Sequence, residues 1–261
     1  FLAHLSLEKP EFILNLPASK SKKPPAKAGQ DDGLEAALVG GFAMLGQISP
    51  DFDLAINAGQ LKINRDQQLL EAGDLDLNLA VTVTDARDAS ATLRSEAAVL
   101  TVRRNGHKEV LKGIELNGSI TIDGDTTGLT LKRLALDEPG LEVSGTIEQS
   151  SATPSVTMAL SGKNIDVDAT RQVALSLGGD VAVVGEIFKY LRGGMVSQIN
   201  VRSQGRTAEE LGDLKNIRIE GKLQNGSVSI PEIELDLTET IGDVLVADGI
   251  LQGSEIGRAH V

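Results

Sequence analysis

Between residues 216 and 237 the chain reads NIRIEGKLQNGSVSIPEIELDL. Apolar side chains stand at alternate positions within each short run: Ile217, Ile219 and Leu223, then Val228 and Ile230, then Ile233, Leu235 and Leu237. Arg, Glu, Lys, Ser and Asp fill the gaps. Successive side chains of a strand point to opposite faces, so this pattern makes a sheet with one apolar face and one wet face. A helix would need apolar residues three and four apart. The same period governs most of the chain from Pro50 onward. Phe52, Leu54 and Ile56 alternate with polar groups, followed by Leu61 and Ile63. The run GDLDLNLAVTV carries Leu75, Leu77, Leu79, Val81 and Val83 in one phase. Alternation continues from Leu93 to Val102 and stops at Asn105-Gly106, a pair suited to a hairpin turn because both residues tolerate positive φ. Ile114, Leu116, Ile120 and Ile122 follow. Leu129 and Leu131 share one phase and Leu134 and Leu136 the other, which predicts a bulge or tight bend at Lys132-Arg133. Leu141, Val143 and Ile147 repeat the pattern in LEVSGTIE.

A short theme, apolar-x-apolar-x-Gly-x-apolar, recurs at 141–147 and 217–223 and more loosely at 244–251. Glycine within a strand permits strong twist or a bulge. The expected fold is therefore mainly β: a long, curled, antiparallel-rich sheet forming an open groove. Its repeats are too irregular for a fixed-period solenoid.

Several stretches depart from this pattern. Residues 1–16 form two short alternating runs around Pro10; proline donates no ladder hydrogen bond, so they read as an edge or a turn. Together with residue 17 they are expected to close an upstream β segment. Residues 18–33 (ASKSKKPPAKAGQDDG) have the composition of a flexible linker. Leu34–Leu45 is apolar but too short to span a bilayer, which takes roughly 18–20 residues, and reads as a buried helix or an element join. A helical insert is expected over 168–192. Asp168 caps a helix ending at Gly178-Gly179, and Asp180 caps a second with Val181, Val184, Phe188 and Leu191 at helical spacing, stopped by Gly193-Gly194. TAEE at 207–210 is a capping box for one helical turn over 208–212. The main β region is thus expected over 34–253. Residues 255–261 leave the pattern, and IGRAHV matches the translation of a short-read sequencing adapter. The chain also begins at Phe1 in mid-pattern. Both ends are accordingly expected to be cut, with a non-native tail.

The chain has no cysteine, which excludes disulfides, thiolate metal sites and cysteine nucleophiles. A formal net charge of −12 repels a phosphate backbone, so nucleic acid is not an expected partner. His4 and His107 have no second ligand at metal-binding spacing. The segment IDGDTTGLT resembles the start of a calcium loop through Asp123, Asp125, Thr127 and Gly128, but the twelfth position is Leu134, so a polar hairpin turn is expected. No nucleophile elbow or phosphate loop is present. Carboxylates mostly alternate with apolar residues on strands, which places them on the wet face. No catalytic residue, metal or cofactor is expected.

The segment from Lys163 to Gly253 resembles the C-terminal region of the AsmA-like family, the YhdP- and TamB-type bridge-like lipid transport proteins. The residues that carry this are KNIDVDATRQVALSLGGD, IFKYLRGGMVSQINVRSQGRTAEEL, IRIEGKLQNGSVSIPEIEL and GDVLVADGILQG. PDFDLAINAGQLKI and GIELNGSITI resemble it less specifically. The resemblance implies a periplasmic β-groove, anchored in the inner membrane by an N-terminal helix that this sequence lacks. It also implies carriage of phospholipid between the two membranes, with acyl chains on the apolar face and envelope proteins as possible partners. The expected lining is then Leu75, Leu77, Leu79, Val81, Val83, Leu141, Val143, Ile147, Ile217, Ile219, Leu223, Val228, Ile230, Ile233, Leu235 and Leu237. A non-enzymatic structural or assembly module for outer-membrane biogenesis is the alternative.

Overall fold

The computed structural model describes residues 4–16, 33–65, 68–85, 87–104, 106–178, 182–213, 215–230, 235–248, 250–254 and 259–260. Strands dominate. The element order is β1 (His4–Glu8), β2 (Glu11–Leu16), α1 (Gly33–Ile48), β3 (Asp51–Arg65), β4 (Gln68–Asp85), β5 (Asp88–Arg104), β6 (His107–Asp123), β7 (Thr126–Leu136), β8 (Leu141–Ser150) and β9 (Ser155–Asp166). There follow α2 (Val167–Gly178), α3 (Ala182–Tyr190), β10 (Leu191–Gly205), a 3-10 turn (Glu209–Gly212), β11 (Ile217–Ile230), β12 (Leu235–Ala247), β13 (Ile250–Ser254) and β14 (Ala259–His260). The strands pair in the order β1-β3-β4-β5-β6-β7-β8-β9-β10-β11-β12-β13, with β2 on β3 and β14 on β12. This is an open, mixed sheet in which most strands pair with their sequence neighbours. The chain divides into two compact units, Phe1–Leu134 with Ile147–Ser155, and Ala135–Thr146 with Val156–Val261.

In the first unit β1 and β2 lie end to end along β3, both parallel to it. The Lys9 amide donates to the Asn57 carbonyl at 2.8 Å, and the Gln60 amide to the Pro10 carbonyl at 2.8 Å, bridging the break. Pro10 sits at this join, where no ladder donor is required of it. Strands β3 to β6 form an antiparallel meander. Gly106, at φ +83°, lies in the β5–β6 turn, and Gly124, at φ +58°, in the β6–β7 turn. The latter is the polar hairpin expected of IDGDTTGLT, tied by an Arg87–Asp125 ion pair at 2.6 Å.

A row of residues in the left-handed region crosses this unit. Lys9 at the β1–β2 join, Ala58 on β3, Asp74 on β4 and Gly113 on β6 have φ between +49° and +59°, while β5, between β4 and β6, has no left-handed residue. Pairing on both sides of the row keeps one register: Leu75 faces Ala97 and Ala72 faces Leu100, while Ala97 faces Ile114 and Leu100 faces Leu111. The strands therefore change side-chain phase together, without slipping on one another. The buried cluster of Ala72, Leu75 and Ala97, with Leu61, Leu77, Leu100 and Ile114, spans the row. The phase change holds apolar residues on one face from end to end. At Lys132-Arg133, where the sequence changes phase, two successive residues of β7 are exposed, and the strand has no left-handed residue.

The second unit has a comparable row: Asn164, Gly194, Asn225 and Glu239 have positive φ on β9, β10, β11 and β12. Alternation flips there too, from Leu223 to Val228 on β11 and from Leu237 to Val244 on β12. The helical insert is present, with two corrections. The cap of α2 is Asp166, whose Oδ1 accepts the Ala169 amide at 3.0 Å; Asp168 lies in the first turn. Asp168 Oδ2 instead accepts the Gly194 amide at 3.1 Å, and a Cβ at Gly193 would stand 2.6 Å from the same carboxylate. Helix α3 also ends earlier than expected, at Tyr190. Leu191 and the Gly193-Gly194 pair belong to β10, because Leu191 pairs with Val228 and Gly193 with Ser227. Asp180 and Val181 lie outside the described residues, as does the linker up to residue 32. In the TAEE turn Thr207 Oγ1 accepts the Glu210 amide at 3.4 Å. Glu210 Oε2 accepts from Arg206 at 2.7 Å, one residue before the capping-box position. The Ser203 hydroxyl, buried, donates to the Leu211 carbonyl at 3.0 Å and holds this turn on β10.

The recurrent glycine theme has no single cause. A Cβ at Gly145 would stand 2.2 Å from the Ala159 carbonyl oxygen, so the close approach of β9 requires glycine there. At Gly221 a Cβ would meet only ordinary contacts, 3.6 Å and beyond.

Candidate functional site

On the first unit's apolar face, opposed residues build lateral rows. Phe52 faces Val81, Leu54 faces Leu79 and Ile56 faces Leu77. Across β4 and β5, Leu79 faces Leu93, Val81 faces Ala91 and Val83 faces Ala89. Across β5 and β6, Ala91 faces Ile120 and Ala89 faces Ile122. Opposed residues in an antiparallel pair lie on the same face. The run from Leu75 to Val83 is roughly 26 Å long at about 3.3 Å per residue. No polar side chain of β4 interrupts that phase.

This track has three parts. At the row of left-handed residues Leu75 is 5% exposed within the strand-built cluster. In the middle Leu77 and Leu79 are half-buried, as is Leu93. At the far end Val81, Val83, Ala89, Ala91 and Ile122 are buried together with Phe42 of α1, with Val39, Leu79 and Ile120 around them. Leu77 and Leu79 thus remain half-open between a closed crease and a helix-covered end.

On the second unit Ile217, Ile219, Leu223 and Leu237 are buried, and Val228, Ile230 and Leu235 are half-buried. Val228 faces Leu237 and Ile230 faces Leu235, so these four share one face. Leu223 and Val228 pack with the helices: Val167, Val196 and Leu223 form a buried cluster with Ile165, Phe188, Leu191, Ile199, Val228 and Val244. On β8 Leu141, Val143 and Ile147 are half-buried and in one phase. Ile233 lies outside the described residues.

The wet faces carry charge matched across strands. Lys62 and Glu71 are directly opposed and paired at 2.9 Å. The hydrogen bond and charge of Lys62 hold the Glu71 carboxyl below the usual carboxylate range, against a smaller opposing effect of burial. Lys163 pairs with Glu142 at 3.0 Å, and Arg133 pairs with Glu115. A cleft of about 500 Å³ opens on the wet face of β10 to β13, where Arg218 and Glu220 pair at 2.8 Å and Lys222 opposes Asp243. Its charges answer one another. No group of three metal-ligating side chains occurs among the described residues. His4 and His107 are both exposed.

In this unit the lining expected from the sequence lies on β4 and leaves out the alanines of β5. Ala89, Ala91 and Ala97 on β5 form the floor opposite Val83, Val81 and Leu75. Their period-2 spacing was the available signal, obscured because alanine is weakly apolar. Phe42 was also missed, since local pattern announces a buried helix but not the face it covers. No helix among the described residues is long and apolar enough to cross a membrane. Comparison with family models, with curated proteins and with solved structures finds no match for this chain.

Proposed function

We propose that the chain is a lipid-handling segment whose apolar sheet face holds acyl chains. The observation that carries this reading is the track on β3 to β6. It stays apolar through a change of side-chain phase, and its middle third is half-open. Each buried methylene contributes about 0.8 kcal/mol, so a chain of about 16 carbons gains on the order of 10 kcal/mol before ordering costs. On the half-open stretch every contact is aliphatic, so no single one dominates and such a chain can slide. Together with the resemblance of Lys163–Gly253 to AsmA-like proteins, the track supports reading the chain as a periplasmic segment of an inner-membrane-anchored protein that carries phospholipid between membranes.

The test is to purify the chain without detergent, extract it with solvent and quantify phospholipid by mass spectrometry. About one lipid or more per chain is expected, falling several-fold in Leu77→Asp and Leu79→Asp, two half-exposed positions chosen so that folding survives. A folded, lipid-free protein would refute the reading. It would favour the second one, a structural or assembly module that docks through its sheet edge. That alternative is supported by Ile13 and Leu14 on β2, which are 55% and 47% exposed although they point to opposite faces of an edge strand.

A further inference from the structure

We propose that α1 is a lid that occupies an acyl-chain seat in the first unit and vacates it when an aliphatic chain enters; this rests on the reading above. The seat is formed by Val81 and Val83 of β4, Ala89 and Ala91 of β5, and Ile122 of β6, all buried beneath Phe42. Every lining group is aliphatic, and the two alanines make a low floor on which a slender object can lie. The seat runs directly into half-open Leu79 and Leu77 on the same strand face. An aliphatic chain lying on the open stretch therefore meets α1 as the next obstacle along an unbroken apolar path.

The attachment of α1 is suited to release. Among its described side chains Phe42 alone is buried, and Met44 is 69% exposed. Gly40 and Gly41 lie mid-helix, where a Cβ would meet nothing within 4 Å, so packing does not require either glycine. Glycine in a helix interior weakens the helix relative to alanine. Close contact recurs one turn after Phe42, where a Cβ at Gly46 would stand 2.8 Å from Val83 Cγ1. Beyond that the chain is held to the sheet: the Val83 amide donates to the Pro50 carbonyl at 2.7 Å, and the buried Ser49 hydroxyl donates to the Asp51 carbonyl. Ser49-Pro50 is thus the fixed end about which the rest of α1 swings.

Because the chain has no cysteine, an introduced thiol reports on its own position alone. In Val39→Cys, half-buried on the side of α1 that carries Phe42, maleimide labelling is expected to be slow and to accelerate about tenfold or more when oleate, added as the aliphatic probe, takes the seat and turns α1 out. Ala43→Cys, half-buried one turn further on, reports the same release should Val39→Cys fail to fold. A Cβ at Gly46 lies 3.3 Å from Val83 Cβ, close to disulfide geometry, so a Gly46→Cys/Val83→Cys pair locks the lid. Oleate bound per chain, measured by ultrafiltration, is expected to fall several-fold on oxidation and to recover on reduction. If oleate binds equally to locked and reduced protein and labelling does not accelerate, the lid is refuted and the apolar-face reading stands. If oleate binds to no form, both fall.

Discussion

The two units cover an apolar strand face with helices in different ways. In the second, α2 and α3 form an insert joined directly to β9 at one end and β10 at the other. Val167, 1% exposed, opens α2 and enters the buried cluster with Val196 and Leu223. The Asp166 cap and the Asp168–Gly194 bond fasten the insert at both strands. In the first unit α1 reaches the sheet from outside the meander; among its described residues the polar fastening lies just past its C-terminal end and the buried side chain is that of Phe42. The chemistry beneath is the same, aliphatic on aliphatic. Burial alone therefore does not distinguish a core from a cover. Connection and polar fastening do, because they decide whether the helix can leave without unfolding what it covers.

Truncation beneath each helix is the strongest way to break this comparison. Leu223→Ala should cost about 2–5 kcal/mol and lower the urea midpoint of the whole second unit. Phe42→Ala should leave the main unfolding transition nearly in place and instead collapse the hydrogen-exchange protection of α1. Equal global destabilisation by the two would make α1 core. Next in size, Asp166→Ala should remove about 1 kcal/mol through loss of the cap on α2, read from the same denaturation curve. An unchanged midpoint would shift the fastening role to Asp168.

Helix propensity sharpens the contrast further. Gly40→Ala and Gly41→Ala should each stabilise α1 by up to about 1 kcal/mol, slowing amide exchange within it and leaving the second unit unaffected. No slowing would mean that the openness of the helix is set elsewhere. The smallest effect concerns Glu71. Its carboxyl is held low by Lys62, so the stabilisation is present above the ordinary carboxylate pKa and is lost as pH falls through the lowered folded value. The pair is solvent-exposed, so the loss of stability should be slight. An NMR titration should find the Glu71 pKa rising in Lys62→Met, with the second unit as an internal reference.

Much of the fold was legible in local pattern. Alternation announced the strands, Pro10 the edge, Asn105-Gly106 the hairpin, and the break after Asp166 the helical pair. The rows of left-handed residues were legible but unread. Ile56 to Leu61, Ala72 to Leu75, Ala97 to Leu100 and Leu111 to Ile114 all change parity, and only their alignment across strands makes them one feature. Alignment depends on register, which joins residues distant in sequence.

By itself the sequence determined that strands would form, that each would have an apolar face, and that wet-face charges such as Lys62 and Glu71 would stay solvated. Those outcomes follow from side-chain direction repeating every two residues, a property of the local backbone. Tertiary structure alone decided which part of the face was covered and how firmly. It chose Asp166 over Asp168 as the cap, placed Phe42 on Val83, and left Leu77 half-open. Hydrophobic burial is not directional, so an apolar stripe specifies that something must cover it without specifying what.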